Sequence, residues 1–120
     1  MGDTGRQDAR FAGMLFSSVY PLYLAKVERK GRTREELDTV IRWLTGFDEA
    51  GLQEMIEGKA TFEAFFGKAN LHPDVHRITG MICGHRIEDI ENPLTRQVRR
   101  LDKIVDELAK GRSLERIMKR

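Results

Sequence analysis

The chain has 120 residues, of which 40% are hydrophobic and 33% are charged, and this composition supports one buried core and excludes an intrinsically disordered chain. Its 21 basic and 19 acidic residues give a net charge of +2, which excludes the large positive excess of a dedicated nucleic-acid-binding protein. A single cysteine excludes an intrachain disulfide, and no apolar stretch is long enough to be an export signal or to span a membrane. We therefore expect one cytoplasmic domain with no membrane contact.

The first quarter of the chain predicts a flexible start followed by a helix. Residues 1–9 have no apolar stripe and are expected to be flexible. The stretch SSVYPLYLAKVERKG is typical of an amphipathic helix that Gly31 ends in the left-handed conformation. Ser18 is its expected N-cap, which places Pro21 in the first turn, where the missing amide has no intrahelical partner.

Three shorter helices are predicted next, each opened by a capping residue. Thr33 and Glu36 form the pattern of a capping box, and the helix that follows ends at Gly46. Asp48 is the expected cap of the second helix. Thr61 is the expected cap of the third, an aromatic segment with phenylalanines at helical spacing.

The last third of the chain contains the clearest helix. Residues 77–87 fit two short helical pieces better than a strand, because apolar and polar residues alternate poorly and two glycines interrupt the segment. Asn92 is then a good N-cap and Pro93 a good first helical residue for a long amphipathic helix over about 93–110. Ser113 is expected to cap a short final helix.

Together these elements predict an all-α fold. We expect a compact single domain of five to seven short helices over residues 10–120, with the longest helix at about 93–110 and the flexible N-terminus at 1–9 before it.

The sequence also resembles a known family. The resemblance is carried by SSVYPLYLAKVERKGRTREELDTVIRWLTGFD, FEAFF, ITGMICGHRIEDIENPLTRQVRRLDKIVDELAKG and LERIM, in that order over about residues 10–118. On these stretches the chain resembles the uncharacterised bacterial proteins of domain of unknown function family 2200. The resemblance implies a small cytoplasmic bacterial protein with no established activity, ligand or catalytic residue, so it transfers no site.

One group of residues has the chemistry of metal ligands. His72, His76, Cys83 and His85 lie within fourteen residues, and imidazole and thiolate are the donors that zinc prefers. Pro73 keeps His72 out of a helix, however, and one intervening residue between Cys83 and His85 is tighter than the usual zinc spacing. We therefore predict no metal, cofactor or catalytic residue, and we expect Cys83 to lie buried at the C-terminus of an apolar helix, where the helix dipole opposes thiolate formation.

Basic residues gather around the first loop, and they form the candidate partner-facing surface: Lys26, Arg29, Lys30, Arg32 and Arg34. Such a patch can hold phosphates, although cations near helix C-termini are more often a solvated face. A helix-turn-helix formed by residues 34–45 and 48–58 is disfavoured, because its second helix carries four acidic residues and no basic residue.

The sequence leaves the function open between three classes. A non-enzymatic interaction or regulatory domain is favoured, with an unknown protein partner or self-association through the wide apolar stripe of the last long helix. A weak nucleic-acid-binding protein that contacts the phosphate backbone is the first alternative. A small metal-binding or enzymatic domain is the second alternative. It would need a polar pocket, and no residue spacing in the sequence predicts one.

Overall fold

Helices dominate the computed structural model, which describes the backbone of residues 2–120 and the side chains from residue 5 onward. In this part of the chain the α-helices are α1 Gly2–Gly13, α2 Phe16–Arg29, α3 Arg34–Thr45, α4 Glu49–Glu57, α5 Phe62–Lys68, α6 Pro93–Ala109 and α7 Leu114–Met118. Two 3-10 turns, Val75–Arg77 and Ile87–Asp89, flank an antiparallel hairpin of β1 Met81–Ile82 and β2 His85–Arg86. The predicted all-α class is confirmed, and the longest helix lies where it was expected.

Helix α6 is the centre of the fold. It contacts α1, α2, α3, α5, α7 and the hairpin, and its apolar stripe of Leu101, Ile104 and Leu108 is fully buried. The rings of Phe16 and Phe65 stack at 4.2 Å on the opposite side of the core. Burial of each such side chain contributes about 1.5–3 kcal/mol relative to exposure. The buried residues come from α2 to α7 and the hairpin region, while Phe11 of α1 packs against them from outside.

The helix boundaries that were predicted at Thr33, Gly46 and Asn92 are confirmed. The Thr33 amide donates to Glu36 Oε1 at 3.0 Å and the Glu36 amide donates to Thr33 Oγ1 at 3.1 Å, which completes the capping box. Asn92 Oδ1 accepts the amide of Thr95 at 3.0 Å and opens α6. Gly46 ends α3 at φ +75, where an added Cβ would collide with the backbone carbonyl of Asn70, in the loop after α5.

The predicted start of α2 is wrong. The helix begins at Phe16, with Leu15 as an N-cap that makes no side-chain hydrogen bond, so Ser18 is inside the helix and Pro21 is well beyond the first turn. The cause is a contact between distant segments. The Phe16 amide donates to the carbonyl of Ala60 at 3.0 Å, which satisfies one of the free amides at the helix start.

Helix α1 covers most of the segment that was expected to be flexible. It packs against α5 and α6. A regular backbone does not by itself measure motion on any timescale, so the division into a flexible 1–9 and a domain at 10–120 stays a prediction. Met1 lies outside the described residues.

The prediction of two helical pieces over residues 77–87 is wrong, because the segment forms the β1–β2 hairpin. Ile82 pairs with His85, which leaves Cys83 and Gly84 as a two-residue turn with φ +50 and +78. Two positive φ angles define the type I′ turn, whose twist matches that of paired strands. The expectation that Cys83 is buried at a helix C-terminus is also wrong, since its thiol is exposed at the tip of this turn.

Candidate partner-binding surface and neighbouring cavity

Arg32 makes its polar contacts inside the molecule. Its side chain is 15% exposed. Nη1 donates to the carbonyls of Leu108 at 3.2 Å and Arg112 at 2.8 Å, and Nη2 donates to Glu36 at 2.8 Å. Arg32 therefore fastens the loop after α2 to the C-terminal end of α6, where helix carbonyls have no intrahelical partner.

Two more of the predicted basic residues form ion pairs. Lys26 lies 3.2 Å from Asp106, which also binds Lys110 at 3.0 Å. Burial opposes the ionisation of Asp106, but the hydrogen bonds from the two lysines outweigh it and lower the pKa of this carboxyl. Arg34 lies 3.9 Å from Asp38 on the next turn of its own helix and remains half exposed, so this pair adds little stability.

The other two predicted basic residues, Arg29 and Lys30, are exposed at the C-terminal end of α2. Among the described side chains neither forms an ion pair with a carboxylate. Their positive charges complement the carbonyl end of the α2 dipole. Both remain accessible to a partner.

The junction of α2, α6 and the hairpin forms a mixed apolar and basic surface, which we name the α2–α6 seam. It consists of Leu22, Lys26, Met81, Lys103, Asp106 and Lys110. Leu22 lies one turn before Lys26 on the same side of α2, and Lys103 Nζ donates to the carbonyl of Met81 at 3.0 Å. Leu22 is 68% exposed and Met81 is 53% exposed, so one large apolar side chain is accessible one turn before Lys26 and another is accessible beside Lys103.

A buried polar cluster underlies the seam. Tyr23 donates its hydroxyl hydrogen to Asp102 at 2.6 Å, and Arg99 Nη1 donates to the other carboxylate oxygen at 3.4 Å. Burial raises the pKa of both Tyr23 and Asp102. The carboxylate of Asp102 raises the Tyr23 pKa further. The cluster links α2 to α6 and gives the seam a fixed base.

The four metal-type residues occupy separate environments. His72 stacks on Trp43 at 4.8 Å, and His76 makes a hydrogen bond to its own loop. Cys83 and His85 lie on the hairpin. In the described part of the chain, no three His, Cys, Asp or Glu side chains are grouped so that they could hold a metal ion.

A cavity of about 320 Å³ lies beside the hairpin, and we name it the α1–α6 cavity. Its lining consists of Gln7, Asp8, His85, Asp89, Ile90, Glu91, Asn92, Thr95 and Arg99. Thr95 and Arg99 are buried and form its floor, whereas His85, Asp89 and Glu91 are exposed and form its rim. Sequence reasoning missed this site because its walls come from both ends of the chain.

Known proteins similar to this chain share its fold and carry no assigned activity. The model of a family described as "Uncharacterized protein conserved in bacteria (DUF2200)" matches residues 10–119. The chain belongs to this family. The resemblance drawn from the sequence is thereby confirmed, and no curated protein matches the chain.

A solved structure of the same fold is described as "Crystal structure of uncharacterized protein SP1917". It is 40% identical, and the match covers 92% of this chain and 91% of that chain with a TM-score of 0.86. Neither the family nor this structure assigns a function.

Between residues 2 and 120, no helix is both long enough and apolar enough to cross a lipid bilayer.

Proposed function

We propose that this chain is a non-enzymatic cytoplasmic interaction domain whose α2–α6 seam binds an acidic segment of a protein partner. The observation that carries the proposal is that Leu22, one turn before Lys26, and Met81, whose carbonyl accepts from Lys103, are both exposed. The proposal keeps the class that the sequence favoured and assigns it a surface and a kind of partner.

Leu22 and Met81 are the apolar part of the proposed binding surface. A single exposed leucine is ordinary on a protein surface. Leu22 and Met81, however, come from different elements and border the same seam. Burial of one such side chain in a partner contributes about 1.5–3 kcal/mol, and a pair can anchor a short segment.

Lys26, Lys103 and Lys110 are the charged part of the proposed binding surface. Lys26 and Lys110 share the single carboxylate of Asp106. Within the described residues, Lys103 donates to the backbone carbonyl of Met81 and to no carboxylate. Three lysines and one aspartate leave a surplus of two positive charges on the seam. Carboxylates of a partner would be attracted to this surplus, and the attraction would steer and orient the complex.

The same features disfavour the nucleic-acid alternative. Phosphate contacts account for most nonspecific nucleic-acid affinity, and they use neither Leu22 nor Met81. The carboxylate of Asp106, which lies in the middle of the seam, would repel a phosphate. An acidic protein segment with an aliphatic or aromatic residue satisfies both the apolar and the basic groups.

Selection of peptides from a random display library on the immobilised full chain tests the proposal. We expect enrichment of peptides that combine Asp or Glu with one or two large apolar residues. Leu22→Ser should weaken a selected peptide roughly 10-fold or more, as the loss of a buried aliphatic side chain predicts. Lys103→Gln should weaken binding and reduce its dependence on salt. Lys59→Gln, at an exposed site in the loop after α4, is the matched control.

Three results would overturn the proposal. The first is enrichment of peptides without acidic residues. The second is salt-dependent binding of a short RNA that Leu22→Ser leaves unchanged, which would instead support the phosphate-backbone alternative. The third concerns self-association. Light scattering of the pure chain identifies self-association, and a dimer that Leu22→Ser dissociates would assign the seam to a second copy and refute the heterologous partner.

A further inference from the structure

The α1–α6 cavity differs from the seam in its chemistry, because it combines one buried cation with several carboxylates. We infer that it binds a small zwitterion with a carboxylate and an ammonium group, the chemical class of a free α-amino acid. This inference is independent of the proposed partner-binding function.

Arg99, on the floor of the cavity, is the group that would attract and bind an anionic part of a ligand. The residue is 7% exposed, and the Phe11 ring lies 4.8 Å from its guanidinium carbon. Its one hydrogen bond to the described residues is the contact of Nη1 with Asp102 at 3.4 Å. A guanidinium has five N–H donors. The Nε and Nη2 atoms of Arg99 make no hydrogen bond within the described residues and are not wholly buried. The cavity is the space in which a carboxylate can meet the remaining donors.

Polar groups next to Arg99 make the floor rigid. Thr95 is 4% exposed, and its hydroxyl donates to Asp8 Oδ1 at 2.5 Å. Asn92 uses its carbonyl oxygen to cap α6, and its amide nitrogen makes no hydrogen bond within the described residues, so it is a further donor at the cavity wall. A bound carboxylate therefore meets donors fixed by the start of α6.

The rim supplies the opposite charge. Asp89 and Glu91 are exposed there, and Asp8 lies on the α1 wall. Three carboxylates and one guanidinium leave the lining with a surplus of two negative charges. A simple anion would be repelled by the rim, and a simple cation would lie above a buried guanidinium. A zwitterion with its carboxylate inward and its ammonium outward satisfies both charges.

Size and donor geometry narrow the class further. A volume of about 320 Å³ is at the lower end of the range of small-molecule sites, which suits a metabolite of amino-acid size. The carboxylates are not arranged around a common point, and no metal-binding group is found among the described residues. An ammonium group that donates to separate, dispersed carboxylates fits this arrangement.

The test is an NMR titration of the full chain with L-alanine and with two smaller probes that each lack one of its charged groups. L-alanine carries both charged groups, propionate carries the carboxylate alone, and ethylammonium carries the ammonium alone. We expect L-alanine to shift the amides of residues 85–99 and to bind at least fivefold more tightly than either half. Propionate binding as tightly as L-alanine would overturn the inference, as would the absence of saturable shifts at tens of millimolar L-alanine.

Variants of exposed rim residues test the inference without changing the buried core. Asp89→Asn with Glu91→Gln changes two exposed side chains, and it should weaken L-alanine severalfold while propionate is unchanged or tighter. Glu63→Gln with Glu115→Gln changes two exposed carboxylates away from the cavity and should leave both probes unchanged. Arg99→Met should abolish binding of both L-alanine and propionate. If the rim variant binds L-alanine as the wild type does, the assignment of the ammonium is wrong.

Discussion

The contacts of Arg32 predict a large loss of stability from a substitution that keeps the charge. In Arg32→Lys, one ammonium replaces a planar fork that reaches two carbonyls and one carboxylate at once. A hydrogen bond from a charged group contributes about 1.5–3 kcal/mol when it is largely buried. The side chain is partly exposed and lysine retains some contact, so we expect a loss of about 2 kcal/mol.

Urea unfolding followed by far-UV circular dichroism measures this difference. A loss of about 2 kcal/mol corresponds to a fall in Tm of roughly 8 °C for a chain of this size. Arg34→Lys is the matched control, because Arg34 is half exposed and lies 3.9 Å from its partner Asp38, and we expect a change within about 0.5 kcal/mol. The reasoning is refuted if Arg32→Lys unfolds at the wild-type urea concentration, or if both variants lose the same stability.

Four further predictions concern the backbone and pH. Cys83→Asn should raise the free energy of unfolding by about 0.5–1 kcal/mol, because asparagine tolerates the left-handed conformation at φ +50 better than cysteine does; unchanged or lower stability would contradict the turn assignment. Gly46→Ala should cost more than Gly111→Ala, since both have positive φ but only Gly46 faces a backbone collision, and thermal unfolding of the pair compares them. Burial raises the pKa of Asp102, so its contribution to stability increases as pH falls through that raised pKa towards 3.8, and Asp102→Asn should remove this increase. Glu36 has a pKa lowered by a guanidinium hydrogen bond, so it stabilises the fold above pH 4.5 and loses this effect as pH falls through its lowered pKa; Glu36→Gln should remove that loss, and urea unfolding at a series of pH values tests both signs.

The helix boundaries that the sequence predicted depend on local chemistry. Thr33 and Asn92 accept amides three residues later in the chain, and Gly46 ends its helix by its own backbone freedom. The start of α2 was missed because it depends on the carbonyl of Ala60, which no local pattern reveals. Capping is thus readable from sequence, whereas a boundary set by a distant backbone contact is not.

The hairpin was missed because its signals are weak. Each strand has only two residues, too few for alternation to show. The turn uses Cys83 in place of the asparagine or aspartate that usually precedes glycine in a type I′ turn. A positive φ at a residue other than glycine is uncommon, so the Cys–Gly pair gave little indication of a turn.

The candidate sites likewise depend on contacts between segments that are distant in the sequence. In the sequence Arg32 resembles its neighbour Lys30, and only the position of α6 directs one inward while the other remains exposed. The α1–α6 cavity brings Asp8 to the side of Thr95, a contact between distant positions that one sequence does not announce. Composition and spacing indicated where cations gather, and tertiary packing decided which of them are accessible.

The family match begins at residue 10, whereas Gln7 and Asp8 form the α1 wall of the cavity. The floor of the cavity therefore belongs to the shared domain, and one wall belongs to the segment ahead of it. Under the inferred assignment of the cavity, substitution of Gln7 or Asp8 would alter which small molecule is preferred. A chain shortened to residues 10–120 should keep its fold and Arg99, lose the Asp8 contact to Thr95, and lose discrimination between ligands before it loses binding.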